Sequence, residues 1–185
     1  MGQVIVIGGA SRAGKGILSR ALSQKLGWHN FSIDPIKMAL VRSVPQFPLN
    51  PNSGSESLCR QLWPFTQTLI QNLVETQCPS VVEGEVLPDQ IKGEAGVLSC
   101  FLGYPNLSAE QLVARIRGNN GHPNDWTGDM DIEDLTHHAH RSIEFSRYIQ
   151  ETCNSLDLPF FDVSEDFTGA QNAALDYCLN RLGSV

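Results

Sequence analysis

The sequence predicts an α/β protein: a parallel sheet covered by helices on both faces. Strand-like and helix-like runs alternate along the whole 185 residues. The first strand candidate is almost wholly apolar, as a strand buried on both faces must be. With 41% hydrophobic residues, the chain can bury a sizeable core, and no linker or low-complexity tract divides it. We therefore expect one domain over residues 1–185.

Gln3 to Ile7 (QVIVI) is rich in β-branched residues and stops at Gly8 and Gly9, which marks it as the central strand. From Lys15 to Leu26, Leu18, Leu22 and Leu26 keep helical spacing until Gly27 supplies a stop. Trp28 to Ile33 reads as the second strand, ending at Asp34 and Pro35, and Ile36 to Val44 as a helix. Pro45, Pro48, Pro51 and Gly54 mark a loop. Beyond it Leu58, Leu62, Phe65, Leu69 and Leu73 step along one helix face, in which Pro64 is expected to cause a kink or a restart. Ser80 to Gly84 and Val97 to Leu102 are the third and fourth strands. Ser108 and Gln111 are spaced as a capping box for a short helix to Arg117. The polar stretch Asn119 to Asp131 reads as a mobile loop. Ile132, Leu135, Ala139, Ile143 and Ile149 then give a long amphipathic helix, Leu158 to Val163 the fifth strand, and Gly169 to Leu182 the closing helix.

Composition excludes several classes. Thirteen basic against twenty acidic residues give a net charge of −7, which repels a polyanion, so nucleic acid is not the expected partner. No run approaches the roughly 18 apolar residues of a membrane span, and Met1 to Ala10 lacks the features of a signal peptide. A cytoplasmic protein is expected. Cys59, Cys78, Cys100, Cys153 and Cys178 are odd in number and form no C-x-x-C pair, so they read as free thiols rather than a disulfide framework or zinc knuckle.

The chemistry lies in Gly9-Ala10-Ser11-Arg12-Ala13-Gly14-Lys15, a G-x-x-x-x-G-K phosphate-binding loop set between a buried strand and an amphipathic helix. Its glycines let backbone N–H groups turn inward around a phosphate, and the start of the helix adds positive potential. Lys15 then reaches the β- and γ-phosphates. The next residue in such loops is Ser or Thr, whose hydroxyl ligates Mg²⁺; here it is Gly16. Magnesium keeps several waters and takes few protein ligands, so a water can replace that hydroxyl, with weaker metal positioning as the cost. Ser11 and Ser19 are not obvious substitutes.

This loop, the second strand ending in Asp34, the segment Glu83-Gly84-Glu85, the pair Arg115 and Arg117, and the terminal FFDVS strand resemble the P-loop kinase group of nucleoside monophosphate kinases, shikimate kinase and gluconate kinase. The resemblance implies a three-layer fold with a five-stranded parallel sheet and a small lid, and ATP with Mg²⁺ as cofactors. It implies an acceptor-binding insertion at about 35–79 and a lid at about 115–131. Asp34 stands where the family places a carboxylate near the acceptor hydroxyl, as general base or water-mediated Mg²⁺ ligand; an equally direct reading makes it the N-cap of the helix opening at Pro35. Glu83, at the carboxyl end of a strand, is suited to hold hydrated Mg²⁺ or the acceptor. Glu85 is a solvated loop residue by default. Arg115 and Arg117 occupy the place of lid arginines that stack on adenine or neutralise transferring phosphoryl oxygens. Gly118, Gly121 and Gly128 would be lid hinges and Trp126 its packing residue. Val163 and Ser164 would border the adenine through their backbone. Among His137, His138 and His140, only the first and last share a helix face, near Glu133 and Glu144, and a solvated face explains them better than a metal site.

The leading expectation is thus an ATP-dependent kinase whose partners are a nucleotide and a small-molecule acceptor. The insertion carries only Lys37, Arg42 and Arg60 as cations, so a nucleoside monophosphate is not indicated, and a sugar acid or another hydroxyl acceptor fits as well. The alternative is a non-catalytic or regulatory nucleotide-binding protein that kept the loop but lost Mg²⁺ chemistry with Gly16. A GTPase switch is weakened because no N-K-x-D guanine signature occurs.

Overall fold

In the computed structural model, which describes residues 4–44, 46–47, 49–50, 53–119 and 127–182, five parallel strands form one sheet in the order β2-β3-β1-β4-β5. They are β1 (Val4–Gly9), β2 (His29–Ser32), β3 (Ser80–Glu83), β4 (Val97–Gly103) and β5 (Phe160–Asp162). The helices are α1 (Lys15–Leu26), α2 (Ile33–Ser43), α3 (Ser55–Glu75), α4 (Pro88–Ile91), α5 (Ala109–Gly118), α6 (Ile132–Leu156) and α7 (Phe167–Leu182). The central place of β1 follows from its composition: every residue is buried, and only a strand apolar on both faces fits there. It runs from Val4 beside Ser80 to Ile7 beside Glu83 on one edge, and from Val4 beside Val97 to Gly9 beside Leu102 on the other.

Alternation along β1 divides the core. Ile5 and Ile7 pack with Leu18 and Leu22 of α1, Leu112 and Ile116 of α5, and Cys178 of α7. Val4 and Val6 face the opposite side with Val82, Phe101 and the α3 residues Leu62 and Ile70. The long helix α6 serves both layers, Leu135, Ala139 and Ile143 on the first and Ile149 and Cys153 on the second. All five cysteines are free thiols, and burial pushes Cys153 up to about 12. No helix among the described residues is long and apolar enough to cross a membrane.

Several boundaries differ from the sequence expectation, each for a local reason. The second strand ends at Ser32, and Ile33, wholly buried, already opens α2. Helix α3 runs through Pro64 as one element without restarting. Pro64 lies on the exposed face, so the carbonyl it leaves unbonded can meet water, while Leu62, Thr66 and Ile70 anchor the other face. The one-turn helix α4 carries too little periodicity to be read from sequence. The capping box at Ser108 forms as expected: Ser108 Oγ accepts from Gln111 N at 3.2 Å, and Gln111 Oε1 accepts from Ser108 N at 2.8 Å.

Every strand points its carboxyl end at the same edge. The segments that follow deliver the phosphate loop after β1, Asp34 after β2, Glu85 after β3, Tyr104 after β4, and Val163 with Ser164 after β5. A parallel sheet opens its ligand crevice at this edge.

Candidate nucleotide and acceptor site

The loop from Gly9 to Gly14 is held from three sides. Ala10 N donates to Leu102 O at 3.0 Å, Gln171 Nε2 of α7 donates to Ala13 O at 3.2 Å, and the Tyr104 hydroxyl donates to Ser11 O. Gly9 takes φ +125°, and a Cβ there would stand 2.0 Å from Leu102 O; Gly14 takes φ +90°, and its Cβ would meet Gln171 Nε2 at 2.4 Å. Both positions therefore require glycine. Arg12 adopts the left-handed region at φ 62°, which tightens the turn. The backbone N–H groups of Gly14, Lys15 and Gly16 donate to no acceptor among the described residues, and they converge at the start of α1. Such a cluster of free donors suits a phosphate. Lys15 Nζ donates to Gly9 O at 3.1 Å and Ala10 O at 2.8 Å, which keeps it over the same cup.

Asp34 is not the N-cap of α2. Ser32 holds that position without a side-chain cap bond, and Asp34 lies inside the first turn, where its charge is favoured by the helix dipole. It accepts from Lys37 Nζ at 2.7 Å. Lys37 in turn donates to Glu85 Oε1, so one ammonium bridges two carboxylates. Their acidities diverge. Partial desolvation raises Asp34, although 68% of its side chain is accessible, but the charge and hydrogen bond of Lys37, together with the charge of Lys15, hold it below the ordinary carboxylate range. Burial and the neighbouring Asp34 charge push Glu85 above that range despite Lys37. Glu85 Oε2 is buried with no hydrogen-bond partner. The spacing Asp34–Lys37 was a readable i, i+3 pair; nothing local in the sequence announced that Glu85 would join it, and the default reading of a solvated loop residue is corrected by its 20% side-chain exposure.

Glu83, half-buried at the end of β3, projects toward the start of α1, its Oε1 lying 4.0 Å from the point a Cβ on Gly16 would fill. Glu83, at the end of β3, and Asp34, in the first turn of α2 just beyond the neighbouring strand β2, thus lie on the side of the cup. The set suits a Mg²⁺ held through its own waters. Direct ligation by a serine is not on offer: Ser19, 1% exposed, donates its hydroxyl to Gly16 O at 3.4 Å. No cluster of three metal-ligating side chains occurs among the described residues. That includes the histidines: His137 and His140 are exposed, while His138 sits 3.3 Å from Ser142 Oγ and is held below its ordinary pKa by burial and by Arg141 and Arg12.

The arginine pair separates in role. Arg115 donates from both terminal nitrogens to Val163 O at 2.8 Å and Ser164 O at 2.5 Å, so these three residues do come together. Arg117 grips the chain before α6, donating to Gly128 O at 3.2 Å and Met130 O at 2.6 Å. In this arrangement both guanidiniums are spent on backbone carbonyls. Arg12 reaches the same region, donating to the buried Thr127 Oγ1 at 2.8 Å. The hinge Gly121 and the packing residue Trp126 lie outside the described residues. Sequence reasoning missed Tyr104 and Gln171, whose roles arise from contacts 93 and 158 positions apart.

Comparison with known proteins rests on shape alone. A gluconokinase from Sinorhizobium meliloti 1021 superposes with a TM-score of 0.56, covering 98% of this chain and 95% of its own at 18% identity. A shikimate kinase from Bacteroides thetaiotaomicron gives 0.54, covering 96% and 98% at 14% identity. A deoxyadenosine kinase from M. mycoides gives 0.51, covering 99% and 100% at 14% identity. This chain has the fold of the P-loop kinases. No family model and no curated protein matches the sequence. The P-loop kinase likeness covers nearly the whole chain and shows the fold.

Proposed function

We propose that the protein is an ATP-dependent kinase of a small hydroxyl compound, with residues 1–185 acting as one kinase-like unit. The observation that carries this reading is the shared cleft of Lys15 and Asp34, close enough for the lysine charge to help lower the pKa of the carboxyl. A cation suited to phosphates and a carboxylate suited to act as base thus belong to one crevice at the carboxyl ends of the strands. In this reading the N–H groups of Gly14, Lys15 and Gly16 and the Lys15 ammonium hold the β- and γ-phosphates. Asp34 accepts the acceptor's hydroxyl proton as the oxygen attacks the γ-phosphorus, and ADP leaves. Glu83 and Asp34 would hold Mg²⁺ through its waters, and the ion would supply neutralisation of the phosphate charge. Arg115 fixes the Val163–Ser164 backbone that borders the base, and residues 115–131 form the lid.

The acceptor, bound against residues 35–79, is read as a neutral or amine-bearing alcohol. The cations of that region are committed elsewhere: Lys37 lies between Asp34 and Glu85, and Arg60 is paired with Glu56 and Asp89. Arg42 stands eight residues beyond Asp34, about 12 Å along α2. A carboxylate or phosphate on the acceptor would meet Asp34 and Glu85 without a free counter-charge. The sugar acid left open by the sequence is therefore disfavoured. An ADP-release screen over matched sets (a hexose, its aldonic acid and its amino sugar; a nucleoside and its monophosphate) tests this directly. Turnover confined to anionic members would overturn the acceptor assignment, and binding of ATP without turnover of any member would favour the non-catalytic alternative to which Gly16 points.

A further inference from the structure

Gly16 has no structural reason to be glycine. Unlike Gly9 and Gly14, it has no positive φ, and a Cβ on it would find only ordinary contacts, at 3.5 Å and 4.0 Å. A glycine within a helix costs about 1 kcal/mol relative to alanine. What its missing side chain does leave is room, and the atom nearest that room is Nη1 of Arg20, at the 3.5 Å distance.

Arg20 stands one helical turn beyond Gly16. Residues four apart share a helix face, and long side chains lean toward the helix N-terminus, so Arg20 lies back over the first turn of α1 and toward the free N–H groups beside Lys15. It is exposed and has no hydrogen bond or ion pair among the described residues. Other arginines around the cleft are engaged: Arg12 with Thr127, Arg115 with Val163 and Ser164, Arg117 with Gly128 and Met130. A guanidinium offers a planar fork matched to phosphate oxygens.

We propose that Arg20 is a phosphate-binding residue, its guanidinium entering the space left open at Gly16 to contact the phosphate chain of the nucleotide beside Lys15. The inference rests on the nucleotide reading of the loop. It gives Gly16 a purpose: the charge neutralisation that a hydroxyl would direct through Mg²⁺ is carried in part by a fixed cation of the protein. The site then binds free ATP almost as well as its Mg²⁺ complex. A serine at 16 would point its hydroxyl into the same space and displace the guanidinium.

The test is equilibrium binding of ATP by calorimetry, in EDTA and in excess Mg²⁺, with thermal unfolding of each variant as a check of folding. For the wild type, the two dissociation constants should lie within about threefold. Arg20→Gln should weaken binding in EDTA by about 10- to 100-fold, the range for losing a charge-assisted contact, with a smaller loss in Mg²⁺. Arg20→Lys should recover part of it. Gly16→Ser should raise the preference for the Mg²⁺ complex and shrink the effect of Arg20→Gln made on top of it. Unchanged affinity of Arg20→Gln in EDTA overturns the proposal; if Lys15→Ala still abolishes binding, the kinase reading stands without it. Failure of the wild type to bind ATP in either buffer removes both.

Discussion

Between β1 and α1 the cleft is lined by backbone, whereas between α2 and β3 it is lined by charged side chains. The first wall is shaped by glycines that admit no substituent and is tied to β4 and α7 by Leu102 and Gln171. The second rests on one lysine shared by two carboxylates, with 68% of the Asp34 side chain accessible. A backbone wall presents fixed donors, whatever the substrate attached to the phosphate. A side-chain wall is tuned by few atoms, and on the proposed kinase reading it is where acceptor specificity would reside.

The sharpest way to break this contrast is to place a methyl group on the rigid wall. Gly9→Ala combines a forbidden φ with a contact of 2.0 Å to the Leu102 carbonyl oxygen, and should cost about 3–5 kcal/mol of stability. Gly93→Ala, at φ +86° with nothing within 4 Å, is strained by conformation alone and should cost about 1–2 kcal/mol. Thermal unfolding of the two variants separates crowding from conformation; equal losses would mean that the loop adapts and is not preorganised.

On the opposite wall, Asp34→Asn should leave folding and ATP affinity near wild type while lowering turnover by about 10²- to 10⁴-fold, the range for losing a general base. Kinetics with the acceptor identified by the ADP-release screen provide the measurement. A parallel loss of ATP affinity would move Asp34 from acceptor chemistry to nucleotide binding.

That asymmetry also explains what could be read in advance. Glycines at fixed offsets before a lysine, between an apolar strand and an amphipathic helix, specify a local backbone path, and the path is most of the nucleotide cup. The alternation that placed β1 at the centre is equally local. By contrast, Glu85 joins Asp34 and Lys37 only because β2 and β3 are neighbours, a pairing between residues 48 positions apart from Lys37 to Glu85. Tyr104 and Gln171 buttress the loop across still longer separations. The N-cap reading of Asp34 failed by two residues, because burial of Ile33 draws the helix start forward more strongly than an Asp-Pro pair holds it back.

A smaller effect should follow from Lys37→Met. Lys37 depresses Asp34 and partly offsets the rise of Glu85, so its loss raises both pKa values. If Asp34 is the base, as proposed, it acts only when ionised, and the acid limb of the kcat/KM profile should move to higher pH, with the plateau at alkaline pH less affected. Stability should follow the same sign. Asp34, depressed when folded, contributes stability above its unfolded pKa that is lost as pH falls through its folded value. Without Lys37 that contribution shrinks at neutral pH and is unchanged once both carboxyls are protonated. An acid limb that stays in place would show that Asp34 is not the titrating base.

The smallest change is expected at the arginine pair of α5. Arg117 is exposed and holds Gly128 O and Met130 O, whereas Arg115 is part-buried against the Val163 and Ser164 carbonyls. Exposed hydrogen bonds of this kind contribute little to global stability, because water replaces them when they open. Arg117→Ala should therefore leave the unfolding transition nearly unmoved and speed hydrogen exchange only near 127–131, where the chain enters α6. Arg115→Ala strands two carbonyls just beyond β5, so its faster exchange should appear around Val163 and Ser164 and, on the proposed nucleotide reading, be accompanied by weaker ATP binding. If the two variants behaved alike, Arg115 and Arg117 would act as one lid pair, and the division between a base-bordering arginine and a lid clasp would fall.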